Sequence, residues 1–120
     1  MPAPAMRVFL YGSLMDPEVF ARVAGTAAPV EAARPALLPG WRRVFLRGMP
    51  FPTLLRDPKA AVDGLLAAIP QRLLPPLHAY EGPLYRFLPV RVLSEGAPVA
   101  ARAWIARPDR ADATRPWPAR

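Results

Sequence analysis

Cysteine is absent from the 120-residue sequence, and His78 is its single histidine. A chain without cysteine forms no disulfides, thiolate zinc sites or iron–sulfur clusters, and it has no cysteine nucleophile. One histidine cannot build a multi-histidine metal site, and it also makes a serine-histidine-aspartate hydrolase a weak hypothesis. We therefore expect no metal and no other cofactor, and the lack of cysteine is compatible with a cytoplasmic protein.

Long apolar runs are missing as well, although 52% of the residues are hydrophobic. No stretch approaches the roughly 18 uninterrupted apolar residues that a membrane-spanning helix needs. Residues 1–7 contain no basic segment followed by an apolar one, which a cleaved secretion signal requires. The sequence thus predicts a soluble protein, located in the cytoplasm, that has no membrane partner.

Acidic residues are scarce, since nine of them face sixteen basic residues and the net charge is +7. All the basic residues but Lys59 are arginine, and they occur singly along the chain except for the neighbours Arg42 and Arg43. This scatter is typical of a solvated surface and of a high-GC bacterial coding bias, not of a cationic binding tract. We expect no nucleic-acid partner, and a nucleic-acid-binding barrel is the weakest of the alternatives.

The length fits one domain, and the order of its first elements follows from local chemistry. Residues 7–11 are rich in strand formers and lead into Gly12 and Ser13, which predicts a buried strand followed by a tight turn. Asp16 is then a good N-cap and Pro17 fits the first helical position, so we predict a helix that Gly25 ends.

The rest of the chain is rich in strand formers and punctuated by proline. A second helix is predicted to begin at Pro75-Pro76 and to end at Glu81-Gly82-Pro83. Strands are predicted over residues 30–38, 41–46, 62–69, 84–93 and 99–106, with residues 49–53 as a loop or sheet edge. About six strands and two short helices make an α+β domain over residues 1–106. Residues 107–120 contain prolines and charged residues but no regularly spaced apolar residues, so we predict a flexible tail.

Two short motifs carry the chemistry of this sequence. Tyr11-Gly12-Ser13-Leu14 follows the first predicted strand, and Tyr80-Glu81-Gly82-Pro83-Leu84-Tyr85-Arg86 joins the second predicted helix to the next strand. In that order, with Val62-Asp63-Gly64-Leu65 between them, they resemble the γ-glutamylcyclotransferase-like family, in particular its short bacterial and plant members. The resemblance extends from about Arg7 to Ala106.

The resemblance implies a small mixed β-barrel flanked by short helices. It also implies that Glu81 is the catalytic acid and base, and that Tyr11, Gly12, Ser13 and Leu14 bind the γ-glutamyl part of a small-molecule substrate. The implied reaction converts a γ-glutamyl amine or γ-glutamyl amino acid into 5-oxoproline and a free amine without a cofactor. In the alternative, Glu81 is a surface or helix-capping acid in a non-catalytic member of the fold that binds a small metabolite or a protein.

Tyr85 and Arg86 are further candidates for substrate binding. Tyr85 either lines the pocket or packs in the core, because tyrosine is suited to both environments. Arg86 either pairs with a substrate carboxylate or is a solvated strand residue. Three positions depart from the family pattern, because His78 stands where aspartate is common, Phe87 where arginine is usual, and Phe51 where tyrosine often precedes proline.

The residue types also explain how such a reaction would proceed. The α-amine of a γ-glutamyl amide must lose a proton before it attacks the γ-carbonyl, and the departing amine must gain one. A glutamate whose pKa burial has raised toward neutrality can do both, and Glu81 has apolar and aromatic neighbours. Backbone NH groups of residues 12–14 are suited to an oxyanion and to the substrate's carboxylate. His78, one helical turn before Glu81, either tunes this pKa or is simply exposed.

Overall fold

A computed structural model describes residues 4–118 of the chain. Over this range the chain forms six strands and three α-helices, with short 3-10 turns at Ser13–Met15, Gln71–Leu73 and Pro108–Arg110. The elements in order are β1 (Ala5–Leu10), α1 (Pro17–Ala24), α2 (Ala28–Glu31), β2 (Arg34–Leu46), β3 (Pro52–Pro70), α3 (Leu74–Glu81), β4 (Tyr85–Ser94), β5 (Ala97–Ala106) and β6 (Ala111–Pro116).

The strands form one mixed sheet in the order β3-β1-β5-β4-β2-β6, in which β2 also pairs with β3. The pairings therefore return to the strand from which they start, and five strands form a closed ring with β6 beside β2. The β1–β5 pair is parallel and the other pairs are antiparallel. This mixed sheet of six strands with a few short helices confirms the predicted α+β fold class.

The second half of β1, from Val8 to Leu10, is buried on both faces and divides the core into two clusters. Val8 and Leu10 belong to a cluster shared with α1 and α3, whereas Phe9 and Tyr11 belong to one formed by strand residues. Successive side chains of a strand point to opposite faces, which explains the alternation. No helix within residues 4–118 is long and apolar enough to cross a membrane.

Gly64 allows β3 to approach the end of β1 closely. A Cβ atom at this position would overlap the Leu10 carbonyl oxygen and lie 2.8 Å from the ring of Phe9. Because both neighbours belong to the buried end of β1, neither can move aside without disturbing the core. Gly64 therefore sets the position of the segment that leads from β1 into residues 11–14.

The two predicted helices and the terminal hairpin are present. The Asp16 side chain accepts a hydrogen bond of 2.9 Å from the Glu18 backbone NH, and Gly25 ends α1 with φ +87°. Helix α3 begins at Leu74, one residue before the predicted prolines. Strands β4 and β5 pair along their whole length, from Tyr85 with Ala106 to Ser94 with Ala97.

The middle of the chain differs from its prediction in three ways. Val30 lies in α2, so the strand predicted from residue 30 begins only at Arg34. The two strands predicted on either side of Pro39-Gly40 are one strand, β2, whose register shifts between Pro39 and Trp41. The predicted strand 62–69 is the second half of β3, which begins at Pro52 within the predicted loop. Proline is tolerated at the first residue of a strand and at bulges, which explains why these prolines do not end the strands.

The prediction of a flexible tail after Ala106 is wrong for the described part of that segment. Residues 111–116 form β6, and Ala111 is buried. The Arg115 guanidinium donates a 2.9 Å hydrogen bond to the Leu46 carbonyl oxygen, and the ring centroids of Trp117 and Phe45 are 4.6 Å apart. The prediction rested on the lack of regularly spaced apolar residues, and these contacts hold the segment in place without them. Residues 119–120 of the predicted tail lie outside the described residues.

Candidate active site

A cavity of about 200 Å³, which we call the Glu81 cavity, opens where β1 ends, α3 ends and β5 passes beneath them. Its lining comes from separate segments of the chain and consists of Phe9, Leu10, Tyr11, Gly12, Ser13, Leu14, Phe51, Pro52, Tyr80, Glu81, Tyr85 and Trp104. Six of the seven residues predicted for the site line this cavity, and Arg86 is the exception. The fold thus brings the two sequence motifs together.

The Tyr11–Leu14 loop lines one side of the cavity with backbone as well as side chains. The first hydrogen bond of its 3-10 turn joins the Met15 NH to the Gly12 carbonyl oxygen at 3.0 Å. The NH groups of Ser13 and Leu14 precede this bond and have no acceptor inside the turn. A Cβ atom on Gly12 would lie 3.2 Å from Pro52, so the loop packs tightly against the start of β3.

Glu81 is the last residue of α3 and is half-buried. The helix ends there because Gly82 adopts φ +82°, while its NH still donates to the His78 carbonyl oxygen at 3.0 Å. Burial raises the pKa of Glu81 from 4.5 to about 7. Near neutral pH the carboxyl group therefore exists in both protonation states, which is the property that a general acid and base needs.

Tyr11 and Tyr85 are neutral walls of the cavity. The Tyr11 hydroxyl donates to the Trp104 carbonyl oxygen, and the Tyr85 hydroxyl donates to the Pro52 carbonyl oxygen at 2.6 Å. Burial raises the pKa of both phenols, and the negative charge of nearby Glu81 raises each pKa further. Tyr11 serves the core and the cavity at once, whereas Tyr85 is only half-buried.

A hydrogen bond at the entrance joins the two motifs directly. The Ser13 Oγ and the Tyr80 hydroxyl are 2.7 Å apart, and both side chains are exposed. This contact links the Tyr11–Leu14 loop to α3, two segments that are 67 positions apart in sequence. It holds the Tyr80 ring in place at the rim of the cavity.

Trp104 connects the loop and the helix from below. Its carbonyl oxygen accepts the Tyr11 hydroxyl, and its indole Nε1–H donates to His78 Nδ1 at 3.0 Å. The exposed His78 also meets Phe87 edge-on, with 4.9 Å between ring centroids. His78 is not part of the cavity lining, so its structural role is to tie α3 to β5.

Arg86 does not join the other predicted site residues. It is exposed, and it follows Tyr85 in β4, where successive side chains point to opposite faces. Sequence reasoning instead missed Phe51, Pro52 and Trp104 as lining residues. The sequence marked Phe51 and Pro52 as a loop or sheet edge and Phe51 as a departure from the family pattern, and no local signal distinguished Trp104 from an ordinary core residue.

Charge in the cavity comes from one residue. Within the described residues the lining includes no Lys, Arg or His, and Glu81 is its single carboxylate. The largely buried Arg43 acts on the site from outside the lining, since its positive charge slightly offsets the rise in the pKa of Tyr11. Residues 4–118 contain no group of three or more His, Asp or Glu side chains placed to hold a metal ion.

Comparison with known proteins agrees with this geometry. A family model described as gamma-glutamyl cyclotransferase, AIG2-like, matches residues 8–119. Protein AIG2 C from Arabidopsis thaliana is 29% identical over 107 residues, which cover 85% of this chain and 63% of that protein. The chain thus spans less than two thirds of the length of this curated relative.

Solved structures share the same fold. The solution structure of an Arabidopsis thaliana protein is 27% identical, with a TM-score of 0.77 over 92% of this chain and 74% of that one. A solved gamma-glutamyl cyclotransferase is 18% identical, with a TM-score of 0.72 over 86% of this chain and 67% of that one, a likeness of fold. Because the family model matches residues 8–119, nearly the whole chain, this protein belongs to the AIG2-like gamma-glutamyl cyclotransferase family.

Proposed function

We propose that the protein is a γ-glutamylcyclotransferase that converts a γ-glutamyl amine or γ-glutamyl amino acid into 5-oxoproline and a free amine. The observation that carries the proposal is the convergence of Glu81 and the Tyr11–Leu14 loop on one small cavity. Family membership supports a cyclotransferase-type function in general terms.

In the proposed reaction the substrate's α-nitrogen forms a bond to its own γ-carbonyl carbon, and the bond from that carbon to the leaving nitrogen breaks. The α-nitrogen begins as an ammonium group and ends as a lactam NH, so it loses two protons. The leaving nitrogen begins as an amide NH and ends as an ammonium group, so it gains two. Glu81, with a pKa of about 7, is suited to accept a proton at the first nitrogen and to deliver it to the second.

The Tyr11–Leu14 loop has the complementary role of binding negatively charged groups. The NH groups of Ser13 and Leu14, which lack acceptors within their turn, are candidate donors to the substrate carboxylate or to the oxyanion. Ring closure is intramolecular, so much of the rate enhancement comes from holding the γ-glutamyl group folded on itself. A cavity of about 200 Å³ with rigid aromatic walls is suited to that task.

The test is the release of 5-oxoproline from a panel of γ-glutamyl amines and γ-glutamyl amino acids by wild type and Glu81→Gln. Gln keeps the shape of Glu81 but cannot transfer the proton, so kcat/KM should fall by about a hundredfold or more. Glu31→Gln, at an exposed position of α2, is the matched control and should retain wild-type activity. Equal activity of wild type and Glu81→Gln would contradict the assignment of Glu81.

A non-catalytic, ligand-binding member of the fold is the second candidate. It is favoured by one observation, the lack of a cationic side chain among the described lining residues, since a substrate carboxylate then has only neutral NH and OH donors in the lining. In that case γ-glutamyl compounds should raise the melting temperature of wild type and Glu81→Gln equally, and neither protein should release 5-oxoproline.

A further inference from the structure

Thr53, the second residue of β3, has no exposed surface and lies behind the lining of the Glu81 cavity. Its neighbour Pro52 lines the cavity, and the Pro52 carbonyl oxygen accepts the Tyr85 hydroxyl. A buried hydroxyl group costs free energy unless it is hydrogen-bonded, and valine would have nearly the same shape without that cost. The polarity of this position therefore indicates a use for the hydroxyl group.

The Thr53 hydroxyl is the middle of a chain of hydrogen bonds. Its Oγ1 accepts the Ala106 backbone NH at 3.0 Å. The hydroxyl is also bonded to the Tyr11 side chain: burial raises the pKa of Tyr11, and the hydrogen bond with Thr53 opposes this rise, as a donor to the phenol oxygen does. Tyr11 in turn donates to the Trp104 carbonyl oxygen. The chain of hydrogen bonds thus begins and ends on the backbone of β5.

Strand β1 leaves the edge of β5 beside this chain of hydrogen bonds. In the described part of the protein the two strands pair at one position, Val8 with Arg102, and the chain then turns away into the Tyr11–Leu14 loop. Alternate residues of a strand direct their backbone groups to the same edge. The Trp104 carbonyl and the Ala106 NH therefore both face the gap that β1 leaves.

Tyr11 and Thr53 supply the hydrogen-bond partners that β1 does not. Trp104 and Ala106 are buried, and a buried backbone group without a partner costs free energy. The two side chains satisfy both backbone groups, which allows the chain to leave the sheet after Leu10 and form the loop. The Tyr11 hydroxyl, and with it the start of the loop, is held by a hydrogen bond on each side.

We propose that Thr53 is a positioning residue of the site, whose hydroxyl group holds Tyr11 and through it directs the Tyr11–Leu14 loop toward the substrate. This inference rests on the proposed function, in which the NH groups of Ser13 and Leu14 bind the γ-glutamyl group. Displaced donors lose part of their effect on the transition state. Loss of the Thr53 hydroxyl should therefore lower kcat more than it changes KM.

Two substitutions of Thr53 separate the hydroxyl group from packing. Thr53→Val keeps the branched shape and loses the hydroxyl, whereas Thr53→Ser keeps the hydroxyl and loses a methyl group. With the best substrate of the γ-glutamyl panel, kcat should fall by about tenfold in Thr53→Val and by less than about twofold in Thr53→Ser, with KM within about twofold in both. Equal kcat values in the two variants, or a lower kcat in Thr53→Ser, would overturn the proposal.

Val92→Ala is the control for lost packing. Val92 has no exposed surface and belongs to the core cluster of Tyr11, but it pairs with Val99 toward the opposite end of the β4–β5 hairpin and does not line the cavity. The variant should lower the melting temperature at least as far as Thr53→Ser and keep kcat within about twofold of wild type. A loss of kcat as large as in Thr53→Val would show that any loss of packing reaches the site, against the proposal.

Action through Tyr11 is tested by a double-mutant cycle with Tyr11→Phe. If the Thr53 hydroxyl acts by holding the Tyr11 hydroxyl, Thr53→Val should lower kcat by less than about twofold once the Tyr11 hydroxyl is absent. A further loss of about tenfold in the double variant would show that Thr53 acts independently of Tyr11, and the proposal would be wrong.

NMR spectroscopy follows the same contact without turnover. The amide signals of Ser13 and Leu14 should move in Thr53→Val and keep their wild-type positions in Thr53→Ser and Val92→Ala. If Thr53→Val does not fold, Tyr11→Phe breaks the same hydrogen bond from its other end and should move the same signals.

The outcomes of this experiment separate the inference from the proposed function. Unmoved loop signals would overturn the positioning role of Thr53, whether or not the protein releases 5-oxoproline. Loop signals that move, in a wild-type protein that releases no 5-oxoproline from any compound of the panel, would overturn the proposed function and still support Thr53 as the residue that positions the loop.

Discussion

Two of the cavities on the sheet have ionisable side chains that differ in burial. The Glu81 cavity is about 200 Å³ and holds one half-buried acid. The second, which we call the Arg56 cavity, is about 390 Å³ and is lined by residues of β2 to β5 that include Trp41, Arg56 and Arg91. Both arginines are exposed, and the Arg56 guanidinium lies 4.5 Å from the centre of the Trp41 ring.

Burial, not volume, prepares a group in these cavities for chemistry. Water around Arg56 and Arg91 screens their charge, so contacts there contribute little free energy. Glu81 has lost enough water for its pKa to rise to about 7. The larger cavity is ordinary surface, and the smaller one contains the carboxyl group whose pKa is shifted by burial.

The two cavities also differ in how the fold produces them. Strands β2 and β4 pair only at Leu37 with Leu93, and β2 changes register after Pro39, so the Arg56 cavity lies where two strands separate. The Glu81 cavity instead lies where hydrogen bonds join distant segments. Trp104 accepts a hydrogen bond from Tyr11 and donates one to His78. The first arrangement leaves space open to water, and the second encloses it.

The largest expected effect comes from Gly64→Ala, which disturbs the Glu81 cavity without changing a lining residue. The added Cβ atom would overlap the Leu10 carbonyl oxygen and force β1 away from β3. We expect the free energy of unfolding in urea to fall by about 2–4 kcal/mol, and 5-oxoproline release to fall with it.

Ala68→Ser is the control for Gly64→Ala because it also adds one heavy atom to β3, at an exposed position. It should change the free energy of unfolding by less than about 0.5 kcal/mol. Wild-type stability of Gly64→Ala would show that the end of β1 can shift freely, and the close approach of the two strands would then not determine the site.

An intermediate effect is expected in the pH dependence of stability of Glu81→Gln. The pKa of Glu81 is about 7 in the folded protein and 4.5 without the burial, so the folded state holds the proton more tightly. Stability from this group is therefore present below pH 4.5 and is lost as the pH rises through 7. Wild type should lose about 1–2 kcal/mol more than Glu81→Gln between pH 5 and pH 8 in urea unfolding, less than the full linkage value because water still reaches the carboxyl group.

Parallel pH profiles for the two proteins would contradict the burial of Glu81. The comparison uses the difference between wild type and variant, so the other titrating groups cancel. Glu31→Gln, which changes an exposed acid of α2, should give the wild-type profile.

The smallest effect is expected in the Arg56 cavity. Arg56→Ala removes the contact with Trp41, and a cation–π contact at an exposed site contributes about 0.5–1 kcal/mol. The free energy of unfolding should fall by no more than that, and kcat/KM should stay within about twofold of wild type. A larger loss of activity would show that the two cavities are coupled, and the contrast between them would no longer hold.

Local chemistry along the chain accounts for a large part of the fold. The Asp16 cap and Gly25 delimit α1 through contacts within one or two helical turns, and the β4–β5 hairpin follows from two strand-forming runs around Glu95-Gly96. The bounds of β3 and the existence of β6 were not predictable in this way. Strand β6 is held by Arg115 on the Leu46 carbonyl oxygen, a contact between residues 69 positions apart.

The same division applies to the site. The two motifs can be recognised in the sequence alone. They indicate the family, and they identify Glu81 and the Tyr11–Leu14 loop as candidate site residues. Tertiary packing was needed to show that Trp104 and Phe51 line the cavity, that alternation in β4 leaves Arg86 outside it, and that Glu81 is half-buried. The burial of a side chain depends on neighbours from distant segments of the chain, and a local sequence pattern contains no information about those neighbours. Proton affinity depends on burial, so the chemistry of Glu81 is set by the fold.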